Sequence, residues 1–341
     1  MRAMPLSAFG ADDRPLDLFA GDRLIISVPA SAANLGPAMD GLGMSVGLRL
    51  TVTVSAAANA GVEAAHEGTS RVRAVLRSFG AAVADRSFVS AVADRAFVSA
   101  NDIPIERGLG GSGAVRLAAL LAASAILRGD PDTDRILADA SALEGHPDNV
   151  AASLCGGVVA SASLDDGRVA SVELGALSEL SVALAIPQMR ISTTEARNIL
   201  PDSLPHVDAR FTASRVALLV AAIAERRFDL FDEATRDRLH QPYRLRLVPG
   251  GAHALDAARQ AGALAAFLSG SGSTLAAFAE PAKAAQVAAA MVERLADHGT
   301  RADPSVVRLD GNGAEVTAIA PDGLVLWGWR WRAPVRTDQA D

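Results

Sequence analysis

Four glycines, Gly108, Gly110, Gly111 and Gly113, fall within six residues, and an apolar run from Ala114 to Leu127 follows at once. No other stretch limits the possible folds as tightly. Residues without a Cβ let the backbone curl until several N–H groups point to one side. A helix that begins there adds the positive end of its dipole. Ile103-Pro-Ile-Glu-Arg-Gly-Leu-Gly-Gly-Ser-Gly-Ala-Val115 therefore predicts a seat for an anion of phosphate type. The run behind it has only Arg116 and Ser124 as polar side chains, so its helix is apolar on nearly every face and belongs in a core.

Composition narrows what can use such a seat. The chain has 341 residues, half of them hydrophobic, enough for one large or two medium domains. A net charge of −7 argues against a broad nucleic-acid surface. Lys283 is the only lysine, which excludes a Walker A loop and speaks against a lysine Schiff base. The single cysteine, Cys155, has apolar neighbours and reads as a buried structural thiol. No apolar stretch is long and uncharged enough to span a bilayer, and the first residues lack a basic start followed by an apolar segment. A soluble cytosolic protein without membrane partners is expected.

Along the chain, residues 1–21 read as an N-terminal extension. Leu24–Val28 is a short strand, and 29–43 is too rich in glycine and proline for regular structure. Asn34 and Asp40 are the side chains of that segment able to reach a ligand, although an ordinary turn uses the same residue types. Alternation over 48–54 predicts a strand. Residues 84–91 nearly repeat at 93–100, a local duplication to which no function attaches. A second helix is expected over 133–143. Directly after it, Glu144-Gly-His-Pro-Asp-Asn-Val150 crowds Glu144, His146, Asp148 and Asn149 into six positions. These are ligand groups, or a helix end followed by a cap from Asp148 or Asn149.

Strands are expected over 158–164 and 180–186, and a short helix opens at Ser192 or Thr193 with Glu195 in its first turn. Helices follow over 214–228, 253–261 and 283–298. Polar residues 237–244, broken by Pro242, include His240, which reads as structural. Residues 263–278 predict strand, turn and strand, with Ser269-Gly-Ser-Gly-Ser-Thr274 at a tight buried corner. Trp327, Trp329 and Trp331 alternate, which puts three rings on one side of a strand for core packing or a subunit contact.

Three glycine-rich segments thus stand in order, at 29–43, 104–114 and 269–274. This arrangement resembles the galactokinase–homoserine kinase–mevalonate kinase–phosphomevalonate kinase (GHMP) superfamily over roughly residues 23 to 320. Within it, Glu144–Val150, Ser192–Arg197 and Gln241-Pro-Tyr-Arg244 look like segments of the homoserine kinases. The resemblance implies an α+β, two-domain fold. A phosphate-loop, ATP-binding domain would span 22–178, a ferredoxin-like C-terminal domain 179–320, and a tail 321–341. It implies ATP-dependent phosphorylation of homoserine or a similar hydroxy amino acid, with Mg²⁺, in a homodimer.

It also implies roles. Pro104, Arg107, Gly108, Leu109, Gly110, Gly111, Ser112 and Gly113 would wrap the ATP phosphates. Ser112 and Glu144 would hold Mg²⁺, whose hardness suits oxygen ligands. Asp40 would stand near the acceptor hydroxyl as orienting group or base. Asn34 and Asn149 would hydrogen-bond the substrate, and Arg197 and Arg244 would take its carboxylate. Ser271, Gly272 and Thr274 would brace the phosphate loop, and His146 would shape its own. The family's usual Gly-Phe ahead of the aspartate is Ala38-Met39 here, Gly111 and Gly113 replace Ser and Ala, and Ser273 replaces proline. Alternatives are a kinase for another small acceptor such as threonine, and a catalytically silent nucleotide-binding homologue.

Overall fold

The computed structural model describes residues 21–58, 74, 95–129 and 131–331. The expected extension, apart from Gly21, and the first copy of the duplication lie outside the described residues.

The first part of the chain builds a sheet from β1 (Arg23–Ala33), β2 (Leu42–Ala58), β3 (Arg95–Asn101), β4 (Val158–Ser163) and β5 (Val169–Gly175). The second part builds a four-stranded antiparallel sheet from β6 (Ser181–Pro187), β7 (Ala265–Leu268), β8 (Leu275–Ala279) and β9 (Ala302–Arg308), in the order β7-β8-β6-β9. Nine helices separate these strands among the described residues: α1 (Gly111–Arg128), α2 (Thr133–Glu144), α3 (Asp148–Cys155), α4 (Thr193–Asn198), α5 (His206–Ala224), α6 (Phe231–Ala234), α7 (Gln241–Arg244), α8 (Gly251–Gln260) and α9 (Ala284–Asp297). In the second sheet, β6, α8, β7, β8, α9 and β9 follow the split-βαβ pattern of a ferredoxin-like unit.

The chain then returns to the first sheet. β10 (Glu315–Ile319) pairs with β1, and β11 (Val325–Arg330) pairs with β10, giving seven strands in all. The division expected at 179–320 and 321–341 runs differently here. Val316 and Ala318 face Ile26 and Leu24 across the ladder, and all four are fully buried. Core completion, which joins residues far apart in sequence, assigns these strands to the first sheet. Trp327 and Trp329 pair with Ala318 and Val316, and all three tryptophans pack on the same core.

Five further elements differ from expectation or were not expected. β1 runs on through Pro29 to Ala33, with a register shift between Pro29 and Ala30 that accommodates the proline. Only 34–41 is irregular. α5 begins at His206, just after Pro205, eight residues ahead of its expected start at 214, because its first turns lie largely in solvent. β5, β9 and β10 carried no clear sequence signal.

α1 is as buried as its composition predicts: Ala114, Leu117, Ala118, Ala119, Leu121 and Ala122 are fully covered. At roughly 1.5–3 kcal/mol per buried leucine, this helix anchors the first domain and with it the loop at its start. Cys155 is buried at the end of α3, and burial raises its thiol pKa, which fits a structural thiol.

Candidate active site

A cleft of about 480 Å³ opens where the glycine loop, the 34–41 turn and the second domain meet. Its floor is the N-terminus of α1. Gly108 and Gly110 both have positive φ, at 75° and 67°, and Gly110 caps the helix. The helix therefore starts at Gly111, three residues earlier than the apolar run suggests. A Cβ on Gly108 would stand 2.2 Å from the Ser269 carbonyl oxygen, and one on Gly110 would stand 2.1 Å from Ser31 Oγ. These glycines serve close packing beneath the loop as well as its curl.

Long-range bonds hold the loop. Ser31 N–H donates to Leu109 O at 3.2 Å and Thr274 N–H to Arg107 O at 3.1 Å. Ser269 Oγ donates to Gly108 O at 2.6 Å. The expected bracing by 269–274 is thus carried by Ser269 and by the Thr274 backbone. Pro104, Gly113, Gly272 and Thr274 stand behind the cleft wall, while Arg107, Gly108, Leu109, Gly110, Gly111, Ser112 and Ser271 line it. Arg107 turns away from the floor, its Nη1 donating to Pro187 O at 2.6 Å.

Beside the loop, Ser112 Oγ donates to Glu144 Oε1, and Arg116 is ion-paired with Glu144 Oε2. Burial lowers the pKa of Arg116. Glu144 is the last residue of α2, which turns away through Gly145 in the left-handed conformation. The polar cluster after it is not the expected cap. Pro147 occupies the N-cap of α3, and Asp148 Oδ1 accepts from Asn149 N–H at 2.8 Å and lies 2.7 Å from His146 Nδ1. His146 thereby shapes its loop. Asn149 Oδ1 accepts from Ser31 Oγ at 2.9 Å.

Asp40 faces the loop across the cleft from the 34–41 turn. Asn34 and Asp40 hold positive φ, at 71° and 59°, conformations that Asn and Asp tolerate better than most residues. Asn34 Nδ2 donates to Gly270 O at 2.9 Å, and its Oδ1 accepts from Asp40 N–H at 3.0 Å. Both ends of this amide meet protein partners, so Asn34 ties Asp40 to the 269–274 turn. Arg197 Nη2 donates to both Asp40 oxygens, at 2.9 and 3.1 Å. Ala38 is buried, and neither it nor Met39 is among the residues lining the cleft.

The helix α4 that carries Arg197 starts as expected, with Ser192 Oγ accepting from Glu195 N–H at 3.1 Å. Arg244 lines the cleft but is only 3% exposed, unlike the solvated arginines of its segment. Its Nε donates to Ala196 O at 3.0 Å. Burial, reinforced by the charge on Arg197, pulls its pKa down. A residue missed in the sequence positions it: Asp237 accepts from the backbone N–H groups of Leu239, His240 and Gln241, at 2.7, 2.9 and 2.7 Å, and so fixes the turn into α7. Its only signal was an Asp a few residues before a proline.

His240 is fully buried, with Nε2 2.6 Å from Gly36 O and Nδ1 3.4 Å from Arg244 Nη1. The neutral ring with its hydrogen on Nε2 satisfies both neighbours. Burial holds its pKa below the usual 6.5, against the opposing pull of Asp237 and Asp40 and with the help of Arg244. The unfolded chain then binds this proton at a higher pH than the folded one. Stability is full above about pH 6.5 and declines as pH falls below it. Thermal midpoints measured from about pH 7 to pH 5 are expected to fall, and His240→Gln to flatten that slope; an unaltered slope would assign the dependence to other groups.

Two family descriptions match the chain, "GHMP kinases N terminal domain" over residues 71–157 and "GHMP kinases C terminal" over 219–297. The homoserine kinase of Moorella thermoacetica is 38% identical over 295 residues, which covers 86% of this chain and 99% of that protein. The chain belongs to the homoserine kinase family. The homoserine kinase of Desulfitobacterium hafniense is 35% identical over 301 residues, covering 85% of this chain and 99% of that one. The crystal structure of homoserine kinase from Cytophaga hutchinsonii has the same fold, with a TM-score of 0.71 at 24% identity over 89% of this chain and all of the other. This is an α+β GHMP kinase fold, as the glycine segments imply. The segments that resemble homoserine kinase, far apart in sequence, line this one cleft through Glu144, Asn149, Arg197 and Arg244.

Proposed function

We propose that this cleft transfers the γ-phosphoryl group of ATP to the side-chain hydroxyl of L-homoserine, yielding O-phospho-L-homoserine for threonine biosynthesis. One observation carries the reading: a single cleft joins an anion seat at a helix N-terminus to a pair of arginines beside a carboxylate.

The phosphate end is built from the backbone of 108–112 and the start of α1, which favour negative charge. Ser112 and Glu144 fit Mg²⁺, since two hard oxygen donors already touch at the cleft wall. When bound, the metal supplies positive charge that offsets the negative charge of the transferring phosphoryl group. The fixed N–H groups need no reorientation as charge shifts, which is the main way a protein accelerates such a transfer.

The acceptor end suits a zwitterion. Arg107, Arg116, Arg197 and Arg244 line the cleft against Asp40, Glu106, Glu144 and Asp148, four charges of each sign. Arg197 and Arg244 are placed to take the carboxylate, and Asn149 to add a hydrogen bond from beneath the loop. Asp40 has both oxygens engaged by Arg197, which favours an orienting role over that of a base. Asn34 serves by holding Asp40.

Among the described residues no helix is long and apolar enough to cross a membrane. A cytoplasmic place and a homodimeric assembly, both implied by the family, belong to the same proposal. The test is ADP release with Mg·ATP across L-homoserine, L-threonine, L-serine and mevalonate. Homoserine is expected to give the highest kcat/KM; turnover of another acceptor without turnover of homoserine would overturn the assignment.

A further inference from the structure

The carboxylate proposed for the metal already has a cation against it. Glu144 Oε2 is ion-paired with Arg116 Nη1 while Oε1 accepts from Ser112. Arg116 stands one helical turn after Ser112 on α1, the one charged side chain in the run from Ala114 to Leu127. The other cleft arginines are engaged elsewhere: Arg107 on the Pro187 carbonyl, Arg197 on Asp40 and Arg244 on the Ala196 carbonyl. The Glu144 side chain is 7% exposed and that of Arg116 27%, so the carboxylate is the fixed partner and the guanidinium the one with room to move.

A guanidinium and a divalent cation repel when both touch one carboxylate. Without either, a nearly buried carboxylate would stand uncompensated at considerable cost. On the metal role assigned above, we propose that Arg116 and the divalent cation compete for Glu144, so that Arg116 sets how much Mg²⁺ the enzyme requires. In the metal-free cleft the arginine neutralises the carboxylate. When the metal takes Glu144, the guanidinium is released into the cleft beside the phosphate loop, where an anionic ligand can receive it.

The test is direct binding of Mn²⁺ to the full chain without nucleotide, whose phosphates would themselves bind the ion, followed by loss of the free-ion electron paramagnetic resonance signal. Arg116→Met removes the competitor, and the Kd for Mn²⁺ is expected to fall about tenfold. Arg116→Lys keeps the charge and is expected to bind Mn²⁺ like the parent chain. Should circular dichroism show Arg116→Met unfolded, Arg116→Gln, which removes the charge and retains a donor, replaces it. The half-saturating Mg²⁺ concentration for turnover is expected to move in the same direction. An unchanged or larger Kd in a folded charge-removing variant overturns the competition. Glu144→Gln separates this failure from that of the metal site. If it weakens Mn²⁺ binding while Arg116→Met changes nothing, Glu144 is a ligand and only the competition fails. If it leaves Mn²⁺ binding intact, the metal assignment fails with it.

Discussion

Glu144→Gln is expected to lower kcat roughly 10²–10³-fold while the far-ultraviolet spectrum stays that of the parent chain. The substitution keeps the size of the side chain and its reach to Ser112, but removes the charge that faces Arg116 and would face Mg²⁺. This loop has no lysine to place on the phosphates, so on the proposed function charge compensation would come from Mg²⁺, the helix N-terminus and the arginines. Removing charge stabilisation aimed at a transition state costs kcat more than KM. Near-parental turnover in Glu144→Gln, measured over a Mg²⁺ titration, would remove this residue from the catalytic centre.

Gly108→Ala is the second large effect. The new Cβ would stand 2.2 Å from Ser269 O and 2.9 Å from Gly272 O, both backbone atoms that cannot swing aside. The residue would also retain a φ of 75°, costly for any side chain. Strain of about 3 kcal/mol is expected, relieved only by parting the phosphate loop from the 269–272 turn. A displacement of that kind is expected to lower kcat/KM for ATP by at least roughly a hundredfold. Gly167→Ala is the control. It has a φ of 85° with nothing within 4 Å of the added carbon, in the turn between β4 and β5. It is expected to cost about 1 kcal/mol and leave turnover unchanged. Equal losses of activity in the two variants would show that backbone strain alone, not the collision with Ser269, is responsible.

The parts of this molecule legible in its sequence are those whose signal is local. The glycine loop, the Ser192 cap, the β7–β8 corner and the amphipathic α9 each depend on residues within a few positions of one another. The elements that escaped depend on distant partners. β10 is a five-residue strand whose place is set by Leu24 and Ile26, some 290 positions earlier. β1 continues past Pro29 because β2 accepts a shifted register, which no pattern in 29–33 announces. Within the site, residues at motif positions line one cleft, but their types did not show what each side chain bonds to there. Asn34 bonds to protein at both ends, Arg244 is buried, and Arg116, one charge in an apolar run, faces Glu144. Such facts follow from how segments distant in sequence pack against one another, which spacing along the chain does not encode.

On the proposed function, the cleft brings the γ-phosphate of ATP to the hydroxyl of an amino acid. Phosphorus-31 nuclear magnetic resonance of a reaction containing the chain, Mg·ATP and L-homoserine reads it most directly. The expected result is a phosphate monoester resonance that grows with ADP and, by carbon–phosphorus coupling, lies on the side-chain oxygen carbon of homoserine. ATP consumption that yields only ADP and inorganic phosphate, or no consumption under conditions where the chain is folded, would contradict it.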